Sequence, residues 1–283
     1  MTDRDLRTNP HALPGAEQPR VGRYVVGGCS LYAEVRGDGP PILLIGASSD
    51  DAEMFRPIAE RLSGFTVVSY DRRGTLRSDR DGWPCDTARH ADDAAGLIGA
   101  LGLASVDGPG IGSGVDVFGA SAGAIVAVQL ALRHPRLVRR VFAFEPGYLR
   151  YSASGTALRR RVTASVDRHL DAHPGDWAGA MGASTHGLLD DPPGLDWYGE
   201  RGRALAENFV ADDIPATGEL ADLDALTASG VEVRFSYGSA SQPAFRDVVT
   251  ALSRRAPDRI EGAGHVAFHT PELFADYLRL RCA

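Results

Sequence analysis

The sequence predicts an α/β fold: a mostly parallel central sheet with helices on both faces, carrying a helical lid insertion. Three observations predict it. Residues 42–45 form a continuous apolar run of the kind found in a strand covered on both faces, and residues 65–70, 115–118 and 137–144 read as further strands of the same sheet. Helical periodicity fills most of the intervals between them, as right-handed crossovers between parallel strands require. The alternation breaks between Glu145 and about Ser229, where helical segments such as "ALRRRVTASVDRHLDAH" dominate, and then resumes.

Taken in order, residues 1–20 are polar and interrupted by Pro10, Pro14 and Pro19, so a flexible N-terminal arm is expected, with no apolar secretory signal. Residues 21–26 and 29–36 are β-rich and separated by Gly27 and Gly28, which reads as an antiparallel hairpin. After the strand at 42–45, Asp50 or Asp51 can cap a helix over 52–62, where Met54, Phe55, Ile58, Ala59 and Leu62 recur at helical spacing. The strand at 65–70 ends in "DRRG". Residues 91–101 read as helix, and the glycine-rich "DGPGIGSG" leads into the strand at 115–118. Beyond the insertion come a strand at 231–237, a helix over 245–254, a short strand-like segment at 259–261 and a last helix from Pro271 to about Leu280. The expected organisation is a core of residues 21–145 and 230–283, with 146–229 as a cap over the strand ends.

A chain of 283 residues, 43% hydrophobic and 24% charged, suits one large domain or a domain with an insertion. The formal charge of −7, with every one of the 30 basic residues an arginine and no basic stripe, disfavours nucleic acid and anionic membranes as partners. A small-molecule substrate is expected instead, and the oligomeric state is left open. The longest apolar run, near residues 122–132, is too short for a bilayer span. Cys29, Cys85 and Cys282 are widely spaced and odd in number, which indicates neither a disulfide framework nor a zinc site and points to a reducing cytoplasm.

The stretch "VDVFGASAGAIVAVQLALRHP" carries the chemistry. Gly119, Ala120, Ser121, Ala122 and Gly123 spell GxSxG directly between a strand and a small-residue helix. Such a turn exposes the serine hydroxyl in a strained conformation, and glycines let strand and helix approach closely. The helix N-terminus aims the Ala122 N–H at a developing oxyanion. The competing reading is a glycine-rich βα turn with an incidental serine.

From about Val21 onward the chain resembles the α/β-hydrolase fold superfamily, through the loop after residues 42–45, "YDRRGTLRSD", "VFGASAG" and "GAGHVAF". The resemblance implies that Ser121 is the nucleophile and His265, just ahead of the last helix, its base. His269 is the rival base and otherwise a pocket-edge histidine. The pair spells HxxxH, but without the glutamate and helix that a zinc site needs, and no metal or cofactor is implied. Asp71, Arg72 and Arg73 are expected to fix their loop by charge-assisted hydrogen bonds.

Two departures from the family pattern stand out. The loop where most members carry the acid, "GSASQP", has no carboxylate, and Ser241 takes roughly that place. Some members, haloalkane dehalogenases among them, carry the acid after the strand that follows the nucleophile helix. Here that residue is Glu145 in "VFAFEPG", at a strand's carboxyl end where catalytic groups gather. The alternative reading is that Glu145 braces the cap's first turn beside Pro146, leaving Asp247 and Asp224 as acid candidates. After the first parallel strand, "LLIGASSDDAEMF" replaces the usual His-Gly or Pro-Gly. Gly46 or Ala47 then takes the glycine's role, and the N–H of Ala47 or Ser48 joins that of Ala122 in the oxyanion hole, unless Ser48 and Ser49 are turn residues only.

Aromatic and histidine residues of the insertion, including Trp177, Trp197, His173 and His186, are candidates to line a pocket. Trp177, His186 and His269 are the expected substrate contacts. The expectation is a serine hydrolase cleaving an ester, lactone or thioester of a medium-sized, fairly apolar molecule through an acyl-enzyme. The alternatives are a non-hydrolytic natural-product tailoring enzyme of lyase, cyclase or dehydratase type, and a non-catalytic small-molecule binding protein.

Overall fold

The computed structural model describes residues 9, 11–104, 114–186 and 196–282, with side chains at 196–199 excepted. The expected glycine-rich lead-in at 107–114 therefore lies almost wholly outside the described residues. Eight strands, β1 (Arg20–Val26), β2 (Cys29–Arg36), β3 (Pro41–Ile45), β4 (Thr66–Tyr70), β5 (Val115–Ala120), β6 (Val138–Phe144), β7 (Glu232–Gly238) and β8 (Asp258–Ile260), form one sheet ordered β1-β2-β4-β3-β5-β6-β7-β8. β1 and β2 are the expected hairpin, and β2 runs antiparallel to β4. From β4 to β8 every pairing is parallel.

Side chains of the central strands alternate between two apolar layers, as the pleat dictates. Leu43, Ile45, Val117, Val141 and Ala143 face the layer that also holds residues of α2 (Thr87–Ala100) and α3 (Ala122–Arg133). Ile42, Leu44, Phe118, Phe142 and Phe144 face the layer that holds residues of α1 (Arg56–Glu60) and α11 (Pro271–Cys282). Phe274 of α11 packs edge-on against Phe144, with ring centroids 4.7 Å apart. Between β6 and β7 come α4 (Ala153–Ala172), α5 (Trp177–Thr185), α6 (Asp196–Ala204), α7 (Ala206–Asn208), a π-type turn at Phe209–Asp213, α8 (Ile214–Ala216) and α9 (Leu223–Ala228). No strand interrupts them among the described residues. α10 (Pro243–Leu252) follows β7.

Several boundaries differ from expectation. The helix expected over 52–62 is only the short α1, because Pro57 sits at its start and a proline ring cannot follow a helical turn. Residues 52–55 form turns instead, held by the Asp51 carboxylate on the Met54 N–H at 3.0 Å. α2 begins four residues earlier than its apolar period, where Asp86 caps it by accepting from the Arg89 N–H at 2.8 Å. α10 starts and ends two residues before the expected range, again set by a proline at its first turn. The described part of the N-terminal arm is tied down. Asn9 donates to the Glu53 carbonyl at 3.0 Å, the Leu13 N–H donates to Glu60 at 2.7 Å, and Arg61 donates to the His11 carbonyl at 3.2 Å. None of these contacts is local in sequence. No described helix is long and apolar enough to cross a membrane.

Asp116, buried within β5, is held between Arg139 and Arg140, accepting from their Nε atoms at 2.8 and 3.0 Å. Burial pushes its carboxyl up, but the Arg140 and Arg139 hydrogen bonds prevail and hold it below the ordinary carboxylate range. Its stabilising contribution is therefore complete above the unfolded-state value of about 4 and is lost as pH falls from there through the lower folded value. Urea unfolding between pH 5 and pH 3 should show stability dropping, and Asp116→Asn should flatten that part of the curve.

Candidate active site

β5 ends at Ala120, and the chain turns at Ser121 with φ 54° and ψ −121°, a conformation that costs a non-glycine residue about 1–3 kcal/mol. Surrounding backbone holds it there: the Ser121 N–H donates to the Phe144 carbonyl at 3.0 Å, and the Ser121 carbonyl accepts from Ala124 and Gly147 at 3.1 and 3.2 Å. The flanking glycines are obligatory for space. A Cβ on Gly119 would lie 2.5 Å from the Gly123 carbonyl oxygen, and one on Gly123 would lie 2.2 Å from that of Ile45. Both obstacles are backbone, which cannot swing aside. The strand–turn–helix around position 121 is thus a strained elbow and not an incidental turn.

β6 lies beside β5, and its continuation presents Glu145, also at positive φ (42°) and fully buried. One carboxylate oxygen accepts from the Gly238 N–H at 2.7 Å, at the end of the next strand, β7. The other lies 2.6 Å from His265 Nδ1. His265 stands in the loop between β8 and α11, and its Nε2 is 3.2 Å from Ser121 Oγ. These partners assign the tautomer, with Nδ1–H donating to Glu145 and Nε2 accepting from the serine. Phe245 from the first turn of α10 stacks on the imidazole, centroids 4.0 Å apart and planes 14° from parallel. The expected trio of Ser121, His265 and Glu145 is brought together. The rival acids are placed elsewhere: Asp247 accepts from Ser154 Oγ at 2.7 Å, and the Asp224 side chain is 96% exposed and paired with Arg254.

Ala122 is the first residue of α3, so its N–H has no intrahelical acceptor and sits at the helix's positive end. The other expected donors are engaged. The Ala47 N–H donates to the Asp50 carboxylate at 2.9 Å, and the Ser48 N–H donates to Asp213 Oδ1, also at 2.9 Å. The structure therefore corrects the expectation that Ala47 or Ser48 offers a ready second donor. Asp213 reaches this loop from the π-type turn, where the carboxylate also pairs with Arg72 at 2.9 Å. The adjacent Asp212 accepts from Ser48 Oγ and Trp83 Nε1, both at 2.9 Å, and lies 3.3 Å from His90 Nε2. Burial pushes the Asp213 carboxyl up despite Arg72, and it pushes His90 down, which keeps that imidazole neutral. Arg72 thus does fix its loop by charge-assisted bonds, as do Asp71, paired with Arg77 at 2.7 Å, and Arg73, paired with Asp93.

Ser121 and His265 open on a cavity of about 120 Å³. Its apolar wall comes from the sheet side through Met54, Phe55, Phe245 and Phe268, and from the insertion through Met181 and Phe209. Trp177, His186 and His269 are absent from the lining among the described residues. α5 turns Met181 and Thr185 inward, which leaves Trp177 at its exposed start and rotates His186, one residue on, by about 100° toward solvent. His269 ends a 3₁₀ turn with its ring edge-on to Phe268. His173 is exposed at the end of α4, and the Trp197 side chain lies outside the described residues. Asp50, Asp213, Phe209 and Phe245 were not expected at the site. The acidic doublets at 50–51 and 212–213 were the available signal for the first two. A larger groove of about 320 Å³, lined by Leu226, Val233 and Leu252, contains none of the trio.

Removing the Asp213 carboxylate should strand the buried Arg72 guanidinium and the Ser48 N–H. Asp213→Ala is expected to cost about 3 kcal/mol in urea unfolding, and Asp213→Asn, which keeps an acceptor, clearly less.

Residues 40–176 match the family model described as the alpha/beta hydrolase fold. The uncharacterised hydrolase YraK of Bacillus subtilis is 36% identical over 130 residues, covering 44% of this chain and 44% of that protein. A homoserine O-succinyltransferase of Xanthomonas campestris is 31% identical over 180 residues, 61% of this chain and 43% of its own length. The chain thus spans less than half the length of these curated relatives. A thermophilic esterase from Thermogutta terrifontis superposes with a TM-score of 0.70 at 20% identity, over 93% of this chain and 98% of that one. The family match through the elbow, the sheet order and the superposition over nearly the whole length agree: the chain has the alpha/beta hydrolase fold.

Proposed function

We propose that the chain is a serine hydrolase that cleaves an ester, lactone or thioester through an acyl-enzyme. The observation that carries this reading is the continuous hydrogen-bonded chain from Ser121 Oγ through His265 to the buried Glu145, opening on a cavity. Ser121 Oγ attacks the carbonyl carbon while its proton passes to His265 Nε2, and Glu145 stabilises the imidazolium. The Ala122 N–H receives the oxyanion. A second donor from the loop after β3 becomes available when Asp50 or Asp213 releases its N–H group. Collapse returns the proton to the leaving group, and His265 then activates water to free the acid. A cavity of about 120 Å³ is close to the size that encloses one benzene ring, which favours a compact apolar acyl or ring group. YraK's description as a hydrolase and the Thermogutta protein's as an esterase support the same class.

One observation favours a second reading, in which the same residues move protons without an acyl-enzyme, as in a lyase, cyclase or dehydratase. With the Ala47 and Ser48 N–H groups on carboxylates, the cavity offers less stabilisation to a tetrahedral oxyanion. A fluorophosphonate probe separates the two. The hydrolase reading expects covalent labelling located by peptide mass at Ser121, abolished in Ser121→Ala and strongly slowed in His265→Ala. Turnover of activated esters should fall about 10²- to 10⁴-fold in Glu145→Gln, with unfolding unchanged in cooperativity. Absence of labelling in the wild-type protein would remove the activated-nucleophile reading.

A further inference from the structure

The cavity beside Ser121 is lined mainly by apolar side chains. Apart from His265, the ionisable side chains on its described lining are Asp50 and Asp213. Their compensation differs. Asp213 has the Arg72 guanidinium at 2.9 Å and the N–H groups of Ser48 and Ser49. Asp50 has the Ala47 N–H at 2.9 Å, and no arginine or histidine pairs with it among the described residues. Its surroundings do not favour a charge: burial pushes its carboxyl up to about 7, the Asp213 and Asp51 carboxylates add to that, and the Ala47 N–H and Arg72 oppose it. A carboxylate held in an apolar cavity without a counter-charge is costly unless a ligand supplies one. The small volume limits where that ligand charge can be. Asp50 and Ser121 share a space of about 120 Å³, so a group bonded to Asp50 lies only a few bonds from the carbonyl under attack.

Resting on the hydrolase reading above, we propose that Asp50 is a specificity residue that selects substrates carrying a protonated amine a few bonds from the scissile carbonyl, on an otherwise apolar body. Aminoacyl esters and thioesters have this chemistry. The ammonium donates to the carboxylate oxygens of Asp50 and replaces the cation that the protein withholds. A buried charge-assisted contact of this kind discriminates by about 10- to 100-fold against a neutral isostere.

The test compares the p-nitrophenyl esters of β-alanine and butanoic acid, which differ by an ammonium in place of a methyl group, each kcat/KM normalised to that ester's rate with hydroxide. The wild-type enzyme should favour the β-alanine ester by about tenfold or more, and Asp50→Asn should bring the ratio toward one, the ratio being the readout. A wild-type ratio of one or less, or a ratio that Asp50→Asn leaves unchanged, overturns the proposal. Calorimetry with benzylammonium and benzyl alcohol reads the same site without turnover. Benzylammonium should bind the wild-type protein more tightly, and its advantage should shrink from pH 8 to pH 6 as a proton occupies Asp50. Equal affinities, or an advantage independent of both pH and Asp50, also overturn it. If neither ester is cleaved and fluorophosphonate fails to label, yet benzylammonium binds through Asp50, the hydrolase reading falls and the ammonium site stands. If both esters are cleaved without preference, the hydrolase reading stands and this inference falls.

Discussion

A carboxylate with no exposure to water must have its charge met by hydrogen bonds, and Glu145 meets that requirement in a way that organises the whole site. Its two oxygens accept from the Gly238 N–H and from His265 Nδ1–H. The first ties β6 to the end of β7, and the second fixes the tautomer and plane of the imidazole. Both need the sheet order in which β6 lies between β5 and β7. The usual acid position after β7 can therefore be vacant of charge, with a serine at 241, because the neighbouring strand delivers a carboxylate to the same nitrogen. Phe245 then holds the opposite constraint by lying flat against the ring.

The features legible in the sequence are those encoded by residues close together. The parallel strands were legible as short β-rich runs recurring between helical segments, with residues 42–45 continuously apolar, and the elbow because its glycines and serine fall within five positions. Glu145 was legible from its place at a strand end. The helix expected over 52–62 was wrong because a single proline outweighed a good apolar period. The arm at residues 9 and 11–19 gained order from contacts with Glu53, Glu60 and Arg61, which no local pattern announces.

The oxyanion loop shows the same limit more sharply. Backbone N–H groups are interchangeable in sequence terms, so Ala47 and Ser48 read as free donors. The Ala47 N–H is taken by Asp50, three residues on, and the Ser48 N–H by Asp213, 165 residues further along the chain, in an insertion that shows no strand among its described residues. The cavity lining suffered similarly. Met181 and Thr185 of α5 face inward, while Trp177 sits at the helix's exposed start and His186 lies one residue past its end, matters of axial position and helix phase that aromatic content alone cannot settle.

The π-type turn has a mechanical consequence. Asp212 and Asp213 join it to Ser48, Trp83, His90 and Arg72, all from the sheet-side framework, so separating it from that framework would expose several buried polar groups at once. α6 adds a second anchor to the same framework: its fully buried Arg201 donates to Asp51 from Nε at 2.7 Å and pairs with Glu53 at 3.0 Å, so pulling either segment away would leave an ionised group stranded without its partner.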